Sequence, residues 1–267
     1  MPEGHTIKHL SNVLSYGYVG TFTAASSPQG RFTEGAARID DRMMTRTTAH
    51  GKHLFLHYDN DIVHIHLGLY GWIKNTKNKG RQPTPSVRLR ITNDEYMSDL
   101  TGPTTCEIIT DDEREIKLNR LGPDPIHDNA DPEKAWTKIH KSSKTIGGLL
   151  MDQSTIAGIG NVYRAEILFI NKLSPFIPGK EISREKFDDI WKDSARLLKL
   201  GAEDGRIKTV SEQHLLACGV GVEGERDDVH YSYVYKRTGS ACLLCQSHIL
   251  SDVLDGRTVY WCPKCQQ

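Results

Sequence analysis

The C-terminal stretch from Cys242-Leu243-Leu244-Cys245 to Cys262-Pro263-Lys264-Cys265 contains two C-x-x-C pairs. Sixteen residues separate the pairs, a spacing that is typical of a four-cysteine zinc site. Asp255-Gly256-Arg257 lies between them and has the composition of a β-hairpin turn. Disulfide pairing is the alternative, but it would not account for the occurrence of the cysteines as two C-x-x-C knuckles. We therefore expect a hairpin that holds one structural Zn²⁺ ion, with the ligands Cys242, Cys245, Cys262 and Cys265.

The composition of the whole chain limits the classes of protein to which it can belong. Its 267 residues are enough for two hydrophobic cores in addition to the hairpin. No run approaches the ~20 consecutive apolar residues of a membrane span, and no signal segment begins the chain, so we expect a cytoplasmic protein without membrane contact. The formal net charge is +0, from 34 basic and 34 acidic residues, so any contact with nucleic acid depends on local basic clusters.

The N-terminal residues Met1-Pro2-Glu3-Gly4 have a chemical consequence of their own. A small second residue permits the removal of Met1, after which the chain begins with a secondary amine beside a carboxylate. A free α-amino group titrates near ~8, so part of it is unprotonated at neutral pH. Such an amine can attack a sugar aldehyde carbon, and its adduct is a cationic iminium. The alternative interpretation is that Pro2 is only a tolerated second residue.

The spacing of apolar residues predicts a helix from Glu3 to about Leu14, followed by β structure. Between about residues 19 and 110, short β-rich runs alternate with turn residues, which favours an antiparallel sandwich. In Val63 to Tyr70, alternate positions are predicted to face opposite sides of a strand. His64 and His66 are interpreted as hydrogen-bonded structural histidines, and a metal pair is the alternative. The predicted strands include residues 54–56, 61–72, 86–91 and 106–109.

The pattern becomes helical after a proline-rich segment that we interpret as a linker, residues 123–131. Asp131-Pro132-Glu133 is a helix-start signature, and further helices are predicted at residues 145–151, 162–170 and 183–200. Gly158-Ile159-Gly160-Asn161 precedes one of them. A glycine turn with an amide side chain at a helix N-terminus favours phosphate binding, although alone it is more often a plain turn.

Four of these stretches together resemble one family. They are Met1 to Gly4, Gly51-Lys52, Gly158 to Glu166, and Gly256 to Pro263. In this combination and order, the chain is similar to the formamidopyrimidine-DNA glycosylase and endonuclease VIII family of DNA repair enzymes. The resemblance covers nearly the whole length.

The resemblance implies an α+β multidomain fold with DNA in a cleft between the lobes. Residues 1–122 correspond to a catalytic β-sandwich domain with flanking helices, residues 132–230 to a helical helix-two-turn-helix domain, and residues 231–267 to a zinc finger. The implied partner is damaged double-stranded DNA, with single-stranded DNA as an alternative. We expect a monomer, in the cytoplasm and near the nucleoid if the source is bacterial.

The resemblance also assigns roles to individual residues. Pro2 corresponds to the nucleophile at the anomeric carbon, and Glu3 to the general acid/base. Lys52, Asn161 and Arg257 match the phosphate contacts around a flipped nucleotide, as suits charge-assisted binding. Leu69 and Tyr70 resemble the wedge that fills the gap in the base stack. Their alternative is a core leucine and a half-exposed sheet tyrosine.

The expected function is a bifunctional DNA glycosylase and abasic-site lyase that acts on oxidised bases, preferentially pyrimidines, by β,δ-elimination. The alternatives are an oxidised-purine glycosylase and a non-catalytic binder of damaged DNA. The chain departs from the family pattern at His5-Thr6, where many relatives have a second glutamate. It also departs at Cys218 to Glu225, in a region that contributes to purine recognition in some relatives.

Overall fold

The computed structural model describes residues 2–217 and 231–267, so Met1 and the segment Cys218 to Glu225 lie outside the described residues. The chain divides into two compact units, Met1–Arg120 and Leu121–Gln267. Among the described residues, no helix has both the length and the apolar character needed to span a membrane. The predicted α+β organisation, with antiparallel sheets, a helical region and a C-terminal cysteine cluster, is confirmed.

Helix α1 (Gly4–Tyr18) begins the first unit and confirms the predicted N-terminal helix. Glu3 is its N-cap residue, and the Glu3 N–H donates to Thr6 Oγ1 over 3.4 Å. The helix continues one turn beyond the predicted end because Tyr18 belongs to the buried face. The Tyr18 hydroxyl donates to Ser98 Oγ over 2.9 Å, which fixes this end of the helix against the sheet.

Two antiparallel sheets form the predicted sandwich. The strands are β1 (Phe22–Ser26), β2 (Arg42–Met43), β3 (Arg46–His50), β4 (His53–Tyr58), β5 (Asp61–His66), β6 (Trp72–Lys77), β7 (Val87–Thr92), β8 (Tyr96–Thr101) and β9 (Thr105–Ile109). The four-stranded sheet has the order β3-β4-β5-β9, and the five-stranded sheet has the order β2-β1-β7-β8-β6. Both sheets contribute to one core because their inward positions are apolar, among them Leu54, Val63 and Ile65 from the first sheet and Leu89, Ile91 and Leu100 from the second.

The single strand predicted over residues 61–72 is wrong, because the chain turns inside it. Strand β5 ends at His66, and Gly68 has a φ of +67°. The Gly71 N–H then donates to the Leu67 carbonyl oxygen over 2.9 Å, which closes a turn before β6 begins. The alternation predicted for Val63 to Tyr70 therefore holds only as far as Leu67.

Sequence interpretation missed two short helices of this unit. Helix α2 (Thr33–Ile39) interrupts the β-rich region, and helix α3 (Asp111–Leu118) follows β9. The signal for α3 was present: Thr110 and Glu113 form a capping box, in which each side chain bonds the backbone N–H of the other residue. For α2 the signal was weaker, with Ala36 and Ile39 three positions apart on its buried side.

The second unit is mainly helical, as predicted. Its helices are α4 (Pro132–His140), α5 (Ile146–Met151), α6 (Asn161–Ile170), α7 (Arg184–Asp204) and the unpredicted α8 (Glu212–Ala217), with a 3₁₀ turn at Gly179–Glu181. The Asp131 side chain caps α4 by accepting from the Glu133 N–H over 3.0 Å. The segment interpreted as a linker packs against this unit: Ile126 is buried, and the Ala157 N–H donates to the Pro123 carbonyl oxygen.

The C-terminal hairpin pairs β10 (Leu250–Leu254) with β11 (Arg257–Trp261). Asp255 and Gly256 form its two-residue turn with φ values of +51° and +72°, as a type I′ turn requires, so the predicted turn is confirmed. The hairpin shares a small core with α6, in which Ile249 and Cys262 pack in one cluster with Phe169.

Helix α6 also anchors the residues that follow the undescribed segment. The carboxylate of Glu166 is fully buried and accepts the backbone N–H groups of Tyr233, Val234 and Tyr235 over 2.7 to 2.9 Å. Burial raises the pKa of Glu166, whereas these donors favour the charged form. The three N–H groups converge on the Glu166 carboxylate and favour its charged form. They offer no hydrogen-bond acceptor to the NH₂ group that a glutamine would place here.

We expect Glu166→Gln to lower the free energy of unfolding by about 3 kcal/mol, because it leaves buried donors poorly paired. Urea unfolding followed by circular dichroism measures this change. Glu203→Gln, at an exposed position of α7, is the matched control and is expected to leave the midpoint unchanged. Equal midpoints for the two variants would show that the Glu166 hydrogen bonds do not stabilise the second unit.

Candidate active site and metal centre

Pro2 and Glu3 lie immediately before the first turn of α1. Pro2 is half-buried and Glu3 is fully buried, so the helix presents one partly accessible residue beside an enclosed carboxyl group. The N-terminal end of a helix stabilises negative charge through its unpaired N–H groups and its dipole. After removal of Met1, this end of α1 would present a secondary amine next to an acid/base group.

His5 and Thr6, which occupy the position of the missing second glutamate, are connected to Glu3. His5 Nε2 lies 3.1 Å from Thr6 Oγ1, and the same oxygen accepts the Glu3 N–H. Burial, with a smaller contribution from the nearby His9, lowers the pKa of His5 to about 4. The imidazole is therefore neutral at neutral pH and brings no charge to the position.

Lys52 is half-buried in the tight turn between β3 and β4, where Gly51 has a φ of +55°. His66, at the end of β5, is its electrostatic neighbour: burial lowers the pKa of His66, and the charges of His64 and Lys52 lower it further. A neutral imidazole beside an ammonium group offers two kinds of donor to an anion. His66 was not predicted as a neighbour of Lys52.

His64 has the structural role that was predicted for it. Its Nε2 lies 2.9 Å from His53 Nδ1, and its Nδ1 lies 2.8 Å from Glu107 Oε1. Glu107 also pairs with Lys117 at 3.0 Å. Burial, with smaller contributions from the neighbouring histidines, lowers the pKa of His53 to about 3, so this half-buried ring stays neutral. Both nitrogens of His64 have partners within the protein, which supports the structural interpretation over a His64–His66 metal pair.

The turn after β5 exposes two large side chains. Leu69 is 47% exposed and Tyr70 is 85% exposed, so the alternative of a core leucine is wrong. The turn requires glycine at position 71, because an added Cβ would lie 2.3 Å from the Leu67 carbonyl oxygen. Exposed apolar groups on a tight turn suit insertion into an apolar or stacked environment.

In the second unit, the start of α6 contacts the C-terminal hairpin. Asn161 Nδ2 donates to the Thr258 carbonyl oxygen over 2.9 Å, and Arg164 donates to the same oxygen over 3.2 Å. Arg164 also bonds the Asn161 side-chain oxygen. Exposed Arg257 directly precedes Thr258, so the structure brings Asn161 and Arg257 to neighbouring positions. Arg164 was not predicted; its signal is the three-residue helical spacing from Asn161.

The four predicted metal ligands form one cluster. Cys245 and Cys262 have their Sγ atoms 3.4 Å apart, Cys242 and Cys265 have theirs 3.9 Å apart, and none of the four forms a disulfide. Tetrahedral zinc with bonds of about 2.3 Å places its sulfur ligands roughly 3.8 Å apart, so this donor set fits a metal ion. The Ser247 N–H lowers the pKa of Cys245 to about 6, whereas burial raises the pKa of Cys262 and Cys265.

Comparisons with known proteins agree with this arrangement. Residues 1–114 match the sequence profile of the formamidopyrimidine-DNA glycosylase N-terminal domain, and residues 121–212 match the formamidopyrimidine-DNA glycosylase H2TH domain. Endonuclease 8 1 of Mycobacterium tuberculosis is 43% identical over the full length of both chains. Formamidopyrimidine-DNA glycosylase of Legionella pneumophila is 29% identical over 85% of this chain and 82% of that protein.

The fold is also that of a solved complex. Lactococcus lactis Fpg, bound to DNA that contains an abasic site, superposes with a TM-score of 0.79 at 20% identity. The match covers 99% of each chain.

Proposed function

Because this chain belongs to the family of formamidopyrimidine-DNA glycosylases and endonuclease 8 enzymes, we propose that it excises oxidised bases and then cleaves the DNA strand through an iminium on Pro2. As an enzyme it is a DNA glycosylase with abasic-site lyase activity, and damaged double-stranded DNA is its partner. The observation that most supports the finer proposal is the Pro2-Glu3 pair at the start of α1.

The proposed reaction begins when the Pro2 nitrogen attacks the C1′ atom of the damaged nucleotide. The bond from C1′ to the base breaks, and the base leaves with a proton. Glu3 supplies the proton that opens the sugar ring, a role that suits a carboxyl group next to the amine. The resulting iminium withdraws electrons from C2′, so loss of a C2′ proton expels the 3′ phosphate, and a second elimination expels the 5′ phosphate.

Three residues are proposed to bind the phosphates around the extruded nucleotide. Lys52 offers a half-buried ammonium group, whose position is fixed by the Gly51 turn. Arg257 offers an exposed guanidinium at the hairpin turn, and the Asn161 amide lies beside the same strand. Charge-assisted bonds of this kind hold a flipped nucleotide by its backbone.

Leu69 and Tyr70 are proposed to fill the gap that the extruded base leaves in the stack. Their exposure on the tight turn between Gly68 and Gly71 supports this role. An aromatic ring and a branched apolar side chain can replace part of the lost stacking.

Oxidised pyrimidines are the proposed substrates, because the chain has 43% identity to Endonuclease 8 1 and 29% to a formamidopyrimidine-DNA glycosylase. We expect faster single-turnover excision of thymine glycol than of 8-oxoguanine from duplexes of otherwise identical sequence. Gel separation of the cleaved strands gives both rates. Faster release of 8-oxoguanine would instead support the purine branch.

We expect borohydride to trap a covalent complex between the processed, untagged protein and abasic-site DNA, because an iminium is reducible. The complex is measured as a shifted band on a denaturing gel. The matched control is the same protein with an acetylated residue retained before Pro2, which makes the Pro2 nitrogen an amide and leaves no free α-amine. Equal trapping by this blocked chain would assign the nucleophile to a lysine.

Glu3→Gln is expected to slow excision of an intact damaged base by ~100- to 10,000-fold, because proton transfer to the sugar is lost. Cleavage at a preformed abasic site should fall less, since that sugar already samples the open aldehyde. Single-turnover rates on both substrates test this, with the exposed Glu34→Gln of α2 as control. Equal losses on both substrates would show that Glu3 does not distinguish the two steps.

The cysteine cluster is proposed to bind one structural Zn²⁺ ion, because four thiolate ligands leave no open position. We expect one zinc per chain by metal analysis, and weaker binding to abasic-site DNA after its removal, because the metal stabilises the hairpin that includes Arg257. Cys106→Ser, outside the cluster, should retain the metal, whereas Cys262→Ser should lose it. Active protein without zinc would contradict the proposal.

A further inference from the structure

A groove of about 890 Å³ lies at the opposite end of α1 from Pro2. Its walls are the last turn of α1, the start of β1, and the turn that joins β7 to β8. The helix rise places Tyr16, at the groove, roughly 18 Å along the axis from Gly4. The groove is therefore separate from the N-terminal residues proposed to react with DNA.

Aromatic side chains line the groove and are unusually exposed. Tyr16 is 85% exposed and Phe22 is 62% exposed, and Tyr96 lies between α1 and the sheet in edge contact with Tyr16. Large aromatic side chains cost free energy when they face water, and on soluble proteins a cluster of them commonly marks a binding surface.

The groove is preorganised by Asn93. Its side-chain nitrogen donates to the Gly17 carbonyl oxygen over 2.9 Å and to Thr21 Oγ1 over 3.1 Å. Its side-chain oxygen accepts the Tyr96 N–H over 2.8 Å. One residue thus ties the helix end, the start of β1 and the β7–β8 turn together, so a ligand would meet a fixed surface.

The charged groups of the groove are all acidic. Asp41, Asp94 and Glu95 line it, and none of the lining residues is basic. Cations lie beside these lining residues: Arg42 directly follows Asp41 and pairs with Asp59 at 3.9 Å. The Lys77 ammonium lies 4.2 Å from the centre of the Tyr96 ring and 3.5 Å from Glu95. The protein therefore already holds one cation here by a ring face and a carboxylate, and the same carboxylates disfavour a phosphate backbone.

We propose that this groove binds a short segment of a partner protein in which arginine or lysine alternates with an apolar residue. The aromatic side chains of the groove contact the apolar residue of the segment and stack against the guanidinium or ammonium group of its basic residue. Asp41 and Asp94 form ion pairs with the same basic group. Such a contact would leave the N-terminal end of α1 accessible, so the partner and a DNA substrate would bind at separate places on the first unit.

The test uses the full-length protein and the peptide acetyl-Gly-Arg-Leu-Arg-Gly-amide, followed by amide chemical shifts. We expect saturable shifts confined to the groove, at residues 16–17, 21–24, 41 and 92–96. Tyr16→Ala and Asp94→Lys should each weaken binding at least five-fold while base excision continues at the normal rate. Asp112→Lys, an exposed position on α3, is the matched charge control and should bind as the unchanged protein does.

Four results would overturn the proposal. The first is the absence of shifts at the groove. The second is equally tight binding of the matched Gly-Gln-Leu-Gln-Gly peptide, which would show that charge does not contribute to binding. The third is equal weakening by Asp112→Lys, which would reduce the effect to non-specific attraction. The fourth is movement of the same amides by undamaged duplex DNA or by protein dilution, which would assign the groove to DNA or to a second copy of the chain.

Discussion

The buried polar residues of helix α6 are the constraint on which the second unit depends. Asn161 and Arg164 hold the hairpin through the Thr258 carbonyl oxygen, and Glu166 holds the chain at Tyr233 to Tyr235. Buried polar groups are costly unless they are paired, so each of these contacts also restricts where its partner segment can lie. Contacts with α6 thus fix the position of the hairpin and the cysteine cluster, although the helix lies about a hundred residues earlier in the chain.

Helix α1 has a comparable role in the first unit. Its buried side packs into the sandwich core through Ile7, Leu14 and Tyr18, and this packing fixes both of its ends. One end presents Pro2 and Glu3, and the other forms a wall of the acidic, aromatic groove. A single rigid element therefore supports the proposed chemistry and the proposed partner site, at a separation set by helix geometry.

Much of the fold was predictable where local signals were strong. The Asp255-Gly256 turn and the Asp131 cap act within a few residues, and both formed as predicted. The errors arose where two signals competed. The apolar alternation after Val63 favoured a continuous strand, but the positive φ of Gly68 and the close approach at Gly71 require a turn.

The sequence by itself determined the chemical groups that are available: a proline beside a glutamate at positions 2 and 3, four cysteines at zinc-site spacing, and the turn residues that bring those cysteines together. Such features are predictable because they depend on residue type and on short separations along the chain. Only the tertiary structure decided that both His64 nitrogens are engaged, that Leu69 faces solvent, and that Asn161 meets the hairpin. These properties depend on burial and on contacts between residues up to 97 positions apart, which no local pattern specifies.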